Sequence, residues 1–154
     1  MSRYLNETSG IAFRFLFLAA LIGGLWLACR MVWGGESKAA CPAMESPRSK
    51  IMDRLAQQHV DSMARVQYQS HQGFGRRASE IRDALGVREV AEICAESWER
   101  QRDDTPEQLW VEFVKCWKQS PGHWKTASVK HKWIGAAMAR GKNGIWYGCI
   151  VAAD

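Results

Sequence analysis

The sequence predicts an α+β fold, with helices packed on a small antiparallel sheet. Three observations predict it. Apolar residues recur at three-to-four spacing over residues 51–66 and again over residues 109–117. The last twenty residues change period to β-branched, aromatic and small residues. Between two such runs stands Asn143-Gly144, a strong hairpin signal. Helices first and a hairpin last is the α+β order.

The N-terminal region reads separately. Phe15 to Cys29 is fifteen residues without a charge, flanked by Arg14 and Arg30. Spans need about 20 apolar residues, and signal h-regions run roughly 7–15. The run therefore suits an N-terminal hydrophobic helix that is a retained anchor, a cleaved signal, or a leader lipidated at Cys29, with a buried core helix as the remaining reading. Residues 1–33 are assigned as signal or anchor and residues 34–47, rich in Gly, Ala, Ser and Pro, as a linker; residues 48–154 form the domain. This organisation implies export, with the domain outside the cytoplasmic membrane and tethered through residues 15–29, or secreted.

The elements of the domain follow in order. Ser46-Pro47 reads as an N-cap with Pro at the first helical position, opening a helix through Ile51, Leu55, His59, Met63 and Val66 to about Tyr68. Ser70 to Gly75 reads as a turn. Arg77 to Leu85 is a short second helix stopped by Gly86. Val90 to Trp98 fits either a helix or an extended segment. Thr105-Pro106-Glu107-Gln108 is a capping box that opens a helix carrying Leu109, Trp110, Phe113, Val114 and Trp117 on one face, and Ser120-Pro121-Gly122 ends it. Trp133–Ala139 and Ile145–Ala152 are the hairpin strands.

Composition excludes more than it assigns. The 154 residues are 47% hydrophobic and 24% charged, so the chain is not disordered throughout. The net charge of +5 falls to +3 without Arg3, Arg14, Arg30 and Glu7, and no aromatic–basic interleaving of the RNA-binding kind is present, which argues against a nucleic-acid partner. Lys125, Lys130, Lys132, Arg140 and Lys142 read as a solvated face, with a patch for anionic lipid or polysaccharide as the alternative. The cysteines at 29, 41, 94, 116 and 149 form no CxxC pair. Those at 94, 116 and 149 sit in apolar runs as small buried residues, and export would also allow a Cys94–Cys149 or Cys116–Cys149 bridge. HExxH, Gly-x-Ser-x-Gly and P-loop motifs are absent, so a classical zincin, an α/β-hydrolase and a P-loop enzyme have no support. Of the four histidines, His59 lies on the apolar face of the first helix, where a satisfied core or cleft-edge imidazole is expected. His131, between two lysines, reads as solvated. Trp110 and Trp117 read as core.

Several motifs together carry a resemblance. Ala56-Gln57-Gln58-His59-Val60-Asp61-Ser62-Met63-Ala64 followed by Ser70-His71-Gln72-Gly73, then Ala91-Glu92-Ile93-Cys94-Ala95, then Trp117-Lys118-Gln119-Ser120-Pro121-Gly122-His123, stand in that order. Trp133-Ile134-Gly135 and Trp146-Tyr147-Gly148-Cys149-Ile150 follow at workable spacing. This series resembles the CAP superfamily of cysteine-rich secretory proteins, antigen 5 and pathogenesis-related 1 proteins, in its compact bacterial form, over about residues 48–152. The resemblance implies a CAP-type α–β–α sandwich with a cleft holding His71, Glu92 and His123. Three departures stand out: Ser120 occupies the position of a second Glu, Ile93 replaces an Asn, and the Asn that usually follows the Gly-His is replaced in Thr126-Ala127. Two imidazoles and a carboxylate could hold Zn²⁺ or another divalent metal with an open position for water. The resemblance implies a binding or interaction module outside the cytoplasm, directed at lipid, sterol or a cell-envelope component. The alternatives are a metal-dependent hydrolase using the same three residues and a structural envelope protein with a vestigial cleft.

Overall fold

The computed structural model describes residues 41–98 and 104–154. The anchor or signal segment and residues 34–40 lie outside the described residues. Among the described residues four helices and three strands follow one another: α1 Lys50–Val66, α2 Phe74–Leu85, β1 Val90–Glu96, α3 Pro106–Lys118, α4 Pro121–Ala127, β2 Trp133–Arg140 and β3 Trp146–Ala153. The strands form one antiparallel sheet in the order β1-β3-β2. Helices α1 and α2 cover one face and α3 and α4 the other, giving the expected α–β–α layering of an α+β domain. Among the described residues no helix is long and apolar enough to cross a membrane.

The alternation of β1 and β3 sorts their side chains between two cores. Cys94, Tyr147, Cys149 and Val151 pack with Met52, Leu55, Met63 and Ile81 under α1 and α2. Ile93, Ala95, Ile150 and Ala152 pack with Leu109, Trp110, Phe113 and Trp117 under α3. Both faces are covered, so β1 carries apolar residues on both sides of Glu92 in place of a clean polar–apolar alternation, and that is why its residues fit helix and strand alike. Gly135 is needed for close approach: a Cβ there would run into the α1 backbone at Met52 and Asp53.

The first helix begins later than Ser46-Pro47 suggests, with Ser49 at its N-cap. Residues 46–49 are used elsewhere. Ile134 N–H donates to the Pro47 carbonyl and Ser49 N–H to the Ile134 carbonyl, both at 2.8 Å, so this stretch bonds to β2, an edge strand. Of the stretch read as linker, Pro42–Glu45 is a 3₁₀ turn with Cys41 and Ala43 fully buried in the α3-side core. α2 starts at Phe74, three residues earlier than expected, and stops at Gly86, whose φ of 62° suits glycine. The capping box at Thr105 forms in full. Ser120-Pro121 ends α3 and also opens α4, a helix beyond those expected: Ser-Pro is equally an N-cap signature.

Candidate functional site

Glu92 lies at the centre of the site. It stands on β1 with its side chain 1% exposed, and a carboxylate so deeply buried must be paired and hydrogen-bonded. Arg77 of α2 supplies the counter-charge as a fork. Its Nε donates to Oε2 and its Nη2 to Oε1, both at 2.8 Å, while Nη1 donates to the Gln72 carbonyl at 2.8 Å. His71, in the turn before α2, donates from Nδ1 to Glu92 Oε1 at 3.0 Å. His59 of α1 lies 3.6 Å from the same oxygen, but its Nε2–H is directed at the Ser70 carbonyl at 2.8 Å. A carbonyl only accepts, so His59 carries its proton on Nε2.

Two residues along β1, Cys94 Sγ lies 3.8 Å from His71 Nδ1. The Cys149 thiol donates to Cys94 and, with His59 and His71 beside it, pulls the Cys94 thiol down to about 4 against the opposing effect of burial. The Cys149 thiol is pushed up by this pairing and by its burial. His71 is raised to about 9, by Cys94 first and Glu92 after it, against partial desolvation. His123 of α4 completes the group, its ring centroid 6.0 Å from that of His71. Its pKa is lowered by desolvation and then by the neighbouring His71 charge. The indole of Trp117 donates to the Cys94 carbonyl at 3.0 Å and pins β1 from the α3 side.

His71, Glu92 and His123 thus come together from a turn, a strand and a short helix. The departure at Ile93 does not touch them, because Ile93 faces the opposite core. Arg77 is a site residue that the motifs do not pick out, although the sequence carries a signal for it. In α2 the buried positions are Arg77, Ala78 and Ile81, and a charged residue within an apolar stripe calls for a buried counter-charge. His59 is the satisfied imidazole that its position suggests. His131 is not solvated: its side chain is 8% exposed, with Nδ1 2.7 Å from Asp154 Oδ2 and Nε2 2.9 Å from the Thr126 carbonyl. A groove of about 820 Å³ opens between α1 and α2 and adjoins the site, sharing His59 and Arg77 with it.

The hydrogen bonds limit the chemistry. Both Glu92 oxygens are held by Arg77, so the carboxylate is engaged as the counter-charge of the fork. Cys94 and Glu92 approach the same ring nitrogen of His71, so no nucleophile–imidazole–acid relay is formed, which would use both nitrogens. What faces out is the Nε2 side of His71, oriented by Glu92 as a carboxylate behind a metal site orients a ligating imidazole, and the neutral ring of His123. A His/Glu/Cys group at metal-binding distance does exist: ligand atoms of His59, Glu92 and Cys94 lie within 4.8 Å of one another. A metal there would have to displace the Arg77 fork and the His59–Ser70 bond.

No protein-family profile matches the chain, and no curated protein does. Among solved structures, an outer surface protein from Borrelia burgdorferi is similar, with a TM-score of 0.54 and 15% sequence identity. The match covers 71% of this chain and 77% of that one. At that identity the likeness speaks to the fold.

Proposed function

We propose that this chain is an exported, membrane-tethered protein whose domain is of the CAP type and acts as a binding module through the cleft of His71, Glu92 and His123. The observation that carries the reading is the convergence of these three residues, each picked out by a separate motif of the resemblance. The likeness to an outer surface protein adds support for export. Binding is favoured over hydrolysis because Glu92 is occupied as a structural anion, leaving two imidazoles as the groups that meet a ligand. A divalent cation such as Zn²⁺ suits imidazole donors, with Glu92 orienting His71 from behind. A polar group of a lipid or envelope component would use the same two rings as donor and acceptor.

Two measurements on the full-length chain test this. A C-terminal alkaline phosphatase fusion is expected to be active in intact bacteria and a fluorescent-protein fusion dark; the reverse pattern overturns export. Calorimetry with Zn²⁺ is expected to give a heat that His71→Ala and His123→Ala each abolish. A heat unchanged by either substitution removes the cleft from the reading.

A further inference from the structure

We infer that Cys94 and Cys149 form a redox pair, a cross-strand disulfide that opens and closes in the wall of the His71 cleft. The backbone ladder carries the inference. In the β1–β3 register Cys94 stands directly opposite Cys149. Antiparallel pairs alternate between hydrogen-bonded and non-hydrogen-bonded positions, and the latter bring Cα atoms to about 4.5 Å. The phase of that alternation is fixed at both ends of β1. Glu89 and Asp154 exchange both backbone bonds, at 3.1 and 3.3 Å, and Ser97 N–H donates to the Trp146 carbonyl at 2.9 Å. Odd-numbered residues therefore bond across to β3. Cys94 is even-numbered, and its carbonyl accordingly points away, accepting from Trp117 Nε1 and Gln69 Nε2. Cys94–Cys149 is thus a non-hydrogen-bonded pair, the closest kind, with a Cα separation near the short end of the roughly 4.4–6.8 Å that a disulfide spans. That separation lies within the range a disulfide spans, so the bridge closes and opens without backbone movement.

The other described cysteines cannot compete. Both members of the pair belong to the α1-side core, whereas Cys41 and Cys116 belong to the α3-side core, with the sheet between. Cys94 and Cys149 are 1% and 0% exposed, and the way to Cys94 runs past His71, whose side chain is 43% exposed, so exchange proceeds when that side of the cleft opens. The reaction balances with a low-molecular-weight disulfide such as oxidised glutathione. One cysteine thiolate attacks it and releases one thiol; the second cysteine then displaces the other. Two thiol hydrogens leave the protein and two electrons reduce the small disulfide to two thiols. Once Cys94 is bridged it no longer has a thiol to share with His71 Nδ1, which keeps Glu92 alone. The redox state of the pair thereby reaches the cleft. This inference does not depend on the reading of the cleft as a binding module.

The test uses the reduced, folded full-length chain. It is exposed to oxidised glutathione, unfolded without reductant, tagged with a maleimide and mapped by protease digestion. The expected map has Cys41 and Cys116 tagged, with the Cys94 and Cys149 peptides joined, lighter by two hydrogens and separated by reductant. Cys116→Ser leaves the map unchanged, and Cys149→Ser leaves Cys94 tagged. Full tagging of Cys94 or Cys149 in the oxidised wild type, or joining of either to another cysteine, overturns the pairing, and this readout needs no variant to fold. The His71 imidazole NMR resonances are expected to shift between the two forms; identical resonances overturn the coupling to the cleft.

Discussion

On the side of the sheet facing α3, β1 and β3 present Ile93, Ala95, Ile150 and Ala152 to a cluster of rings in which Trp110, Phe113 and Trp117 stand with centroids 5.6–6.3 Å apart. On the side facing α1 and α2, the same strands present Glu92, Cys94 and Cys149 to two histidines and an arginine. One face is held by dispersion and the removal of apolar surface from water. The other carries a buried ion pair whose members depend on each other. Such a pair contributes little net stability when intact but costs much when broken, so the two faces should respond differently to the same kind of damage.

The largest effects test that difference directly. Phe113→Ala empties a fully buried position and is expected to destabilise by about 3–5 kcal/mol in urea unfolding. Arg77→Met is expected to cost about 3–5 kcal/mol as well, by stranding the Glu92 carboxylate. The two part company in the double variant. Adding Glu92→Leu to Arg77→Met should recover most of the loss, because the stranded buried carboxylate is then gone. A double variant no more stable than Arg77→Met alone would mean that the fork acts as packing, like the other face.

A smaller effect lies where the faces meet. Trp117→Phe keeps most of the ring but removes the indole donor to the Cys94 carbonyl, which is left with the longer bond from Gln69. The expected cost is about 1–3 kcal/mol, and hydrogen-exchange protection should fall in β1 more than in β2. Thr105→Ala removes one half of the capping box at α3 and should cost about 1 kcal/mol without moving the His71 resonances.

The dry face is the more legible one. Its helix announces itself through a capping box and an apolar stripe, both local signals, and Trp117 lies in the core as its spacing suggests. The hairpin is legible through Asn143-Gly144, where Gly144 has φ of 81°. The start of α1 is not, because residues 46–49 answer to a bridge between Arg48 and Ile134, a partner far along the chain that no local pattern records. On the polar face, His71, Glu92 and His123 are legible through motif resemblance. Arg77 and the Cys94 contacts escape for a different reason. Their roles are fixed by partners on other elements, Glu92 for the one and His71 for the other, and periodicity along one helix or strand carries no record of such partners; Cys94–Cys149 is one of the two bridges that the sequence leaves open.

The smallest effect is also the one that separates the two histidines of the cleft. His71 is raised to about 9 by Cys94 and Glu92, so the folded state binds its proton more tightly than the unfolded chain does. Its contribution to stability is fully present below the ordinary value of about 6.5 and is lost as pH rises through about 9. His123 is shifted the other way, by desolvation first and by the His71 charge second. Its neutral form is the one the fold favours, so the cost of charging it grows as pH falls from about 6.5 through its lowered value. Titration by NMR should therefore show the two rings, 6.0 Å apart, displaced in opposite directions from the ordinary value. Replacing His71 with Gln removes the cation and should raise the pKa of His123. It should not restore the ordinary value, because the desolvation that comes first among its causes remains. If His123 titrates unchanged in His71→Gln, the two imidazoles do not share a field, and the cleft is two separate sites rather than one.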